Sequence, residues 1–199
     1  MSYYHYDVSN NYRQTPQPLN DSLLSSLQEG GFILYARHAE ATIGADQPNL
    51  NYQDCYTQRN LSNNGRMQAV TYGNAIRSLN IPIMPPVITS PFCRNIETAY
   101  LAFGEANTLI DPLWVDTYNL SGALSQSEFN RILNNLTTIF ETQPAPGSNN
   151  IIIAHSFPEG VGLGPLPNMG TVVIRPFGQG NGFEIVDQLT LSELLNLHR

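Results

Sequence analysis

Three short apolar runs place the strongest constraint on the fold, because each of them stops abruptly at polar residues. The runs are "FILYA" (32–36), "PVITS" (86–90) and "IIIAH" (151–155). Continuous apolar runs of this length are typical of strands that are buried on both faces of a parallel sheet. Segments with helical patterns separate the runs, so strands alternate with helices. This alternation predicts an α/β domain, a three-layer α/β/α sandwich around a largely parallel central sheet.

Four segments have the periodicity or the end signals of helices: "DSLLSSLQEGG", "LSNNGRMQAVTYGNAIRSL", "SPFCRNIETAYLAF" and "SQSEFNRILNNLTTIF". In the second, Ser62 is the predicted N-cap. Its apolar stripe is predicted to comprise Met67, Val70, Ile76 and Leu79. In the third, Ser90 and Pro91 stand in the order favoured for an N-cap and a first helical residue. In the fourth, Ser125 and Glu128 form a capping-box pattern. Further strands are predicted at "TVVIRP" and "GFEIVDQL".

The chain of 199 residues is long enough for one domain with a sizeable core. Residues 1–19 are rich in Tyr, Asn and Gln and predict a flexible N-terminal tail, so residues 20–199 are expected to form a single domain. Residues 39–60 lack periodicity and predict a long loop. The sequence begins without an apolar h-region, and no apolar run approaches the length of a membrane span. We therefore expect no membrane association and a cytoplasmic location.

The charge composition limits the functions that this chain can have. The formal net charge is −7, and all nine cations are arginines, with no lysine. An acidic surface disfavours nucleic acids and anionic membranes as partners. The absence of lysine excludes Schiff-base enzymes, pyridoxal phosphate anchors and Walker-type phosphate loops. Any phosphate that this protein binds must therefore be bound by arginine.

Chemically active residues follow each of the three buried strands. Arg37 and His38 end the first, Ser90 ends the second with Arg94 shortly after it, and His155 ends the third. Because the carboxyl ends of parallel strands meet at one edge of a sheet, we expect two arginines and two histidines to meet there, where ligands bind in open α/β folds.

This set of side chains suits phosphoryl transfer. Two forked guanidinium groups match the oxygens of a phosphoryl group. A neutral imidazole can attack phosphorus and carry the phosphoryl group covalently, and nearby arginines lower its pKa by repulsion of like charges. A second histidine can stabilise the transition state by a hydrogen bond. The scheme requires no metal ion and no cofactor, and His38, His155, Cys55 and Asp54 lack the spacing of metal ligands.

Four motifs occur in register with these strand ends: "LYARHAE", "LSNNGRMQA", "SPFCRNIETA" and "IIIAHS". In these motifs, over residues 31 to 176, the chain resembles the histidine phosphatase superfamily, in the branch typified by cofactor-dependent phosphoglycerate mutases. Two positions depart from the pattern of that family. Ala39 stands where glycine follows the catalytic histidine, and Ser156 follows His155 where glycine is usual.

The resemblance implies a role for each residue of the site. It makes His38 the nucleophile, and it makes Arg37, Arg94 and His155 the rest of the phosphate pocket. Ser156 can still contribute its backbone N–H to phosphate binding.

The same family typically places its general acid a couple of dozen residues after the second arginine. In this chain that segment is "DPLWVDTYNLSG", and Asp116 is the predicted proton donor. Other carboxylates that could serve are Asp111, Glu40 and Glu159.

Two other features favour structural interpretations. Cys55 and Cys93 could pair, but two cysteines do not make a disulfide framework, and Cys93 is interpreted as a buried, inert thiol. The glycine-rich segment "EGVGLGPLPNMG" is interpreted as a loop after the third strand, because it does not match a nucleotide-binding motif.

Three functions are compatible with the sequence. The first is a phosphomonoester hydrolase, a histidine acid-type phosphatase that acts on a small phosphorylated substrate through a phosphohistidine. The second is a mutase of the phosphoglycerate mutase type, and the third is a non-catalytic phosphate-binding protein. Loops 39–60 and 105–123 contain one arginine, Arg59, against six carboxylates. This deficit of cations favours hydrolysis and disfavours polyphosphorylated substrates. The oligomeric state is not predicted.

Overall fold

The computed structural model describes residues 21–197, and the tail predicted over residues 1–19 lies outside them. The helices are α1 (Asp21–Glu29), α2 (Asn63–Ser78), α3 (Cys93–Phe103), α4 (Val115–Asn119), α5 (Gln126–Phe140) and α6 (Leu191–Leu195). The strands are β1 (Ile33–Arg37), β2 (Val87–Thr89), β3 (Thr108–Ile110), β4 (Asn150–Ala154), β5 (Thr171–Pro176) and β6 (Phe183–Leu189). Within residues 21–197, no helix has the length and apolar character needed to span a bilayer.

One six-stranded sheet forms the centre of the domain, in the order β3-β2-β4-β1-β5-β6. Strands β3, β2, β4 and β1 pair in parallel, whereas β5 and β6 pair in antiparallel orientation. The predicted largely parallel sheet is therefore confirmed. Strand β3 was not predicted, because it has three residues and two of them, Leu109 and Ile110, are exposed.

Two apolar clusters lie on opposite faces of the sheet. Buried residues of α1, α2, α3 and α6 pack on one face, against the side chains of Leu34 and Ala36 in β1. Residues of α5, together with Trp114 and Leu120 at the ends of α4, pack on the other face. Helices thus cover both faces, and the predicted three-layer sandwich is confirmed.

The buried face of α2 differs from the predicted stripe. Met67 is 63% exposed and Val70 is 40% exposed, so their assignment to the core is wrong. The buried residues of α2 are Gly65, Ala69, Tyr72, Gly73, Ala75 and Ile76. A side chain at Gly73 would collide with the carbonyl group of Ala102 in α3. The absence of a side chain at Gly73 therefore allows the backbones of α2 and α3 to approach closely there.

The helix caps agree with the sequence in two places and differ in one. Ser62 caps α2, and Ser125 caps α5 within a complete capping box, as predicted. The N-cap of α3 is Phe92, which makes no side-chain capping bond, so the prediction that Ser90 caps this helix is wrong. The hydroxyl group of Ser90 instead makes a hydrogen bond in the candidate site.

Candidate active site

The strand ends bring Arg37, His38, Arg94 and His155 together, and we refer to these four residues as the arginine–histidine cluster. Strands β1 and β4 are neighbours, and β4 and β2 are neighbours, so their carboxyl ends lie side by side. The rings of His38 and His155 are 5.5 Å apart between centroids and lie edge to face. Both histidines are buried. The structure therefore unites the four side chains that the sequence placed at strand ends.

The hydrogen bonds of His38 fix its tautomer. Its Nδ1 lies 2.7 Å from the carbonyl oxygen of Ala39. A carbonyl oxygen can only accept, so Nδ1 carries the hydrogen and Nε2 carries a lone pair. The Nε of Arg94 donates to that Nε2 at 3.2 Å. Burial and the positive charges of Arg94 and Arg37 lower the pKa of His38 well below 6.5. His38 is therefore a neutral imidazole whose unprotonated nitrogen faces a guanidinium group.

Arg94 is held by a carboxylate that the sequence analysis did not assign to the site. Nη1 and Nη2 of Arg94 donate to Asp46 at 2.9 and 3.4 Å. The two side chains are only 3% and 7% exposed. Asp46 also accepts the backbone N–H of Arg59 at 2.8 Å. Asp46 thus binds the far end of the guanidinium and leaves its Nε edge toward His38.

Arg37 is anchored through the glycine-rich loop that follows β4. Its Nη1 donates to the carbonyl oxygen of Leu166 at 2.7 Å, and the backbone N–H of Leu166 donates to Oγ of Ser156 at 2.8 Å. Burial and the charges of Arg59 and Arg94 lower the pKa of Arg37. The hydroxyl group of Ser156 therefore holds the loop that orients Arg37. The phosphate contact predicted for the backbone N–H of Ser156 stays a prediction.

His155 is fixed from several directions. Its Nε2 lies 3.1 Å from Oγ of Ser90, and its carbonyl oxygen accepts the hydroxyl group of Tyr35 at 2.6 Å. The rings of Phe92 and Tyr118 lie 4.7 and 5.4 Å from its own ring. These contacts leave the imidazole little freedom to rotate.

The electrostatic surroundings also keep His155 neutral. Burial lowers its pKa well below 6.5, and His38, Arg94 and Arg37 add to the effect. Two neutral histidines and two arginines therefore line one buried site. Such a site can receive a dianion, because its positive charge resides on the arginines and does not depend on protonation of the histidines.

No described contact joins Asp116 to this cluster. Its carboxylate pairs with Arg131 of α5 at 3.1 Å. Tyr118, two residues later in α4, is the residue of that helix that contacts His155. Side chains two positions apart on an α-helix point about 200° apart, so Asp116 and Tyr118 project from different sides of α4.

The other carboxylates considered as proton donors make different contacts. Glu40 accepts from Oγ of Ser62 at 2.6 Å and from Nδ2 of Asn64 at 2.9 Å, and these bonds lower its pKa. Asp111 caps the short turn that follows it, and Glu159 is exposed. None of these described contacts is with the arginine–histidine cluster.

A disulfide bond joins Cys55 to Cys93 across 38 residues, so the interpretation of Cys93 as a free thiol is wrong. Cys93 directly precedes Arg94, and Cys55 belongs to the long loop that contains Asp46. The backbone N–H of Cys93 also donates to Oε1 of Gln58 at 2.8 Å. The loop is therefore tied to the start of α3 next to Arg94. Residues 21–197 contain no group of three or more His, Cys, Asp or Glu side chains that could hold a metal ion.

We expect the disulfide to contribute strongly to stability. Removing the disulfide opens a loop of 38 residues and should lower the free energy of unfolding by about 4 kcal/mol, mainly because the unfolded chain gains entropy. For a chain of this size, the loss corresponds to a Tm that is lower by roughly 10 °C. The measurement is thermal unfolding of the wild type and of the Cys55→Ser/Cys93→Ser variant, each with and without a reductant. Reductant should lower the Tm of the wild type only, and an equal Tm in all four samples would contradict this role.

Comparison with known proteins reveals similarity at the level of structure. No known family profile matches the chain, and no curated protein matches it. A phosphoserine phosphatase mutant from Entamoeba histolytica, in complex with phosphoserine, is 14% identical and has a TM-score of 0.52, with 82% of this chain and 99% of that chain covered. The protein histidine phosphatase SixA complexed with tungstate is 14% identical and has a TM-score of 0.50, with the same coverage. This likeness confirms the fold that the four motifs imply.

Proposed function

We propose that this chain, which has the phosphoglycerate mutase-like fold of the histidine phosphatases, hydrolyses small phosphomonoesters through a phosphohistidine at His38. The observation that carries the proposal is the state of the His38 ring. The bond from Nδ1 to the carbonyl oxygen of Ala39 leaves the lone pair on Nε2, 3.2 Å from Nε of Arg94. A phosphoryl group attached to that nitrogen would have a charged hydrogen-bond donor beside it at once.

The reaction has two steps. A phosphoryl group binds between Arg37 and Arg94, and Nε2 of His38 attacks phosphorus in line while the bond to the leaving oxygen breaks. A general acid gives its proton to that oxygen. Water then attacks the phosphohistidine, the nitrogen–phosphorus bond breaks, and the acid residue regains a proton from the water. His155 donates a hydrogen bond to the phosphoryl oxygens in both steps.

The solved structures support the choice of reaction. One of the two similar proteins is named as a phosphoserine phosphatase and contains phosphoserine, and the other is named as a protein histidine phosphatase and contains tungstate. Both are phosphatases. The substrate of this chain requires separate evidence, which a screen of phosphomonoesters for release of orthophosphate would provide. Release from none of them would refute the proposal.

A mutase is a weaker alternative. Returning the phosphoryl group to a small carboxylated substrate requires cations beyond those that bind phosphate. Arg59, the arginine of the long loop, already donates its Nε to the carbonyl oxygen of Thr42 at 2.8 Å, and Asp46 adds a negative charge to the site. An assay with 3-phosphoglycerate and its bisphosphate primer would support this alternative only if interconversion outpaced hydrolysis.

The proton donor is the one role for which the resemblance and the contacts disagree. The resemblance proposes Asp116, whereas the contacts favour Asp46, which lies on the guanidinium of Arg94. Of the carboxylates considered, Asp46 is the one whose described contacts reach the arginine–histidine cluster. We therefore propose Asp46 as the residue that protonates the leaving oxygen.

We expect Asp46→Asn to slow hydrolysis of an alkyl phosphate at least about tenfold more than hydrolysis of an aryl phosphate, because general acid catalysis contributes about 10²–10⁴-fold and matters most for basic leaving groups. The matched control is Asp116→Asn, for which less than about a threefold change is expected on both substrates, as for a surface ion pair. The measurement is kcat/KM on both phosphates for both variants. A leaving-group effect confined to Asp116→Asn would restore Asp116 as the acid. An equal loss on both substrates in Asp46→Asn would make Asp46 a residue that positions Arg94.

The cytoplasmic location stays a prediction. The disulfide between Cys55 and Cys93 argues against it, because such bonds persist mainly in oxidising compartments. Fractionation of the source cells would decide between the cytoplasm and an oxidising compartment.

A further inference from the structure

Three aromatic side chains form a continuous surface beside the candidate site, and we call Tyr52, Phe92 and Tyr118 the aromatic wall. Phe92 is fully buried, with its ring 4.7 Å from those of both His155 and Tyr118 and 5.1 Å from that of Tyr52. The guanidinium carbon of Arg94 lies 4.3 Å from the centre of the Phe92 ring and 5.7 Å from that of Tyr118. The wall therefore begins at the residues that would bind phosphate.

The outer part of the wall is accessible. Tyr52 and Tyr118 are half-buried, so both rings keep part of their surface toward solvent. They come from separate segments, the long loop and α4, and each packs on Phe92 at the start of α3. The Cys55–Cys93 disulfide ties the long loop to α3 at this point. Two tyrosine rings are thus held in fixed positions next to the cluster, although the two-step reaction requires neither of them.

The charges of the site limit what can lie against the wall. Besides the arginine–histidine cluster, Arg59 is the arginine close enough to influence the pKa values of His38 and Arg37, and its Nε is already bonded to Thr42. Asp46 balances the charge of Arg94. Arg37, Arg94 and Arg59 against the one carboxylate of Asp46 leave two positive charges, which a single phosphoryl dianion balances. The part of the substrate beyond phosphorus is therefore expected to be uncharged.

We propose that the aromatic wall binds the leaving group of aryl phosphomonoesters, with the planar ring of the substrate packed against Tyr52 and Tyr118. This inference rests on the proposed function for the position of the phosphoryl group at His38. Aromatic rings pack on one another with a preference over saturated groups of the same size, which amounts to a few-fold to about tenfold in affinity for each pair. The wall thus selects substrates by the shape of the leaving group, in addition to its acidity.

Three phosphonates that cannot be hydrolysed test this subsite without any need for turnover: benzylphosphonate, cyclohexylmethylphosphonate and methylphosphonate. Binding to the intact protein is measured by calorimetry. We expect benzylphosphonate to bind at least about tenfold more tightly than methylphosphonate and about threefold more tightly than cyclohexylmethylphosphonate, which is apolar but not planar.

The variants separate the wall from the rest of the loop. Tyr52→Leu should reduce the preference for benzylphosphonate over methylphosphonate about threefold or more, and leave the affinity for methylphosphonate within about twofold. Tyr118→Leu should reduce the same ratio of affinities about threefold or more, although its contacts with His155 and Arg94 also bear on methylphosphonate binding. Tyr118→Phe should keep the preference, because it keeps the ring. The matched control is Tyr56→Leu, since Tyr56 lies in the same loop but is 96% exposed. It should behave as the wild type.

Equal binding of benzylphosphonate and methylphosphonate would overturn the proposal, and so would equal binding of the benzyl and cyclohexylmethyl compounds. Failure of all three to bind the wild type would also overturn it. A preference for the benzyl compound that survives Tyr52→Leu and Tyr118→Leu would place the aromatic subsite elsewhere. If the preference depends on the wall but no phosphomonoester is hydrolysed, the subsite is supported and the proposed hydrolysis is refuted.

Discussion

Replacing His38 with alanine is expected to abolish turnover, with a loss of roughly 10⁴-fold or more, because the variant lacks the nitrogen that attacks phosphorus in the covalent step. The loss should be equally severe for aryl and alkyl phosphates, since attack on phosphorus is required whatever the leaving group. The measurement is release of orthophosphate from p-nitrophenyl phosphate and from an alkyl phosphate by the wild type and His38→Ala.

Two controls make this result specific. Binding of inorganic phosphate to His38→Ala reports whether the pocket and the fold are intact, because Arg37 and Arg94 remain. His155→Ala removes a hydrogen-bond donor but leaves the nucleophile, so its loss should be smaller, about 10²–10³-fold. Equal rates for the wild type and His38→Ala would refute the assignment of the nucleophile.

Replacing Arg94 with glutamine should lower kcat/KM by about 10²–10³-fold, the usual effect of losing one charged donor at a transition state. It should also change the pH dependence. After burial, the charge of Arg94 is the largest cause of the lowered pKa of His38. Without that charge the pKa of His38 rises, and the ring becomes protonated at a higher pH. As the pH falls, activity should therefore be lost sooner in Arg94→Gln than in the wild type, and kcat/KM as a function of pH measures this shift.

Arg94→Gln alone leaves the buried carboxylate of Asp46 without its ion-pair partner, which destabilises the folded protein. A second variant, Asp46→Asn/Arg94→Gln, therefore removes both charges together. We expect the double variant to regain stability but not activity. The surface control is Arg66→Gln, whose side chain is 43% exposed and should change kcat/KM by less than about twofold. An unchanged kcat/KM and an unchanged pH profile in Arg94→Gln would show that Arg94 does not act on the phosphoryl group.

The hydrophobic pattern was sufficient to predict the layers of the domain and the placement of His38 and His155 at one edge of the sheet. Buried strands need apolar residues on both faces, so "FILYA" and "IIIAH" identified β1 and β4 directly. Parallel pairing of these strands then brought His38 and His155 to one edge. Those two positions follow from topology, which the order of the elements along the chain largely determines.

The residues that the long loop places beside the site could not be predicted in the same way. Asp46 and Tyr52 belong to a loop without periodicity, whose path depends on contacts with α3 and on the Cys55–Cys93 disulfide. The sequence signals were also ambiguous for two helices, α3 and α2. Ser90 matched an N-cap by its place before proline, but its hydroxyl group bonds to His155. Periodicity indicated an amphipathic α2, but only close packing on α3 shows that the glycine-rich face is the buried one.

Trapping the covalent intermediate tests most directly whether His38 is the nucleophile. Wild-type protein is mixed rapidly with an aryl phosphate and quenched in alkali, in which a phosphohistidine persists, and the peptides are then mapped by mass spectrometry. We expect one phosphoryl group on the peptide that contains His38, lost on acid treatment and absent from His38→Asn. Hydrolysis by the wild type with no phosphohistidine at any time point, or with the phosphoryl group on another residue, would contradict the assignment of His38 as the nucleophile.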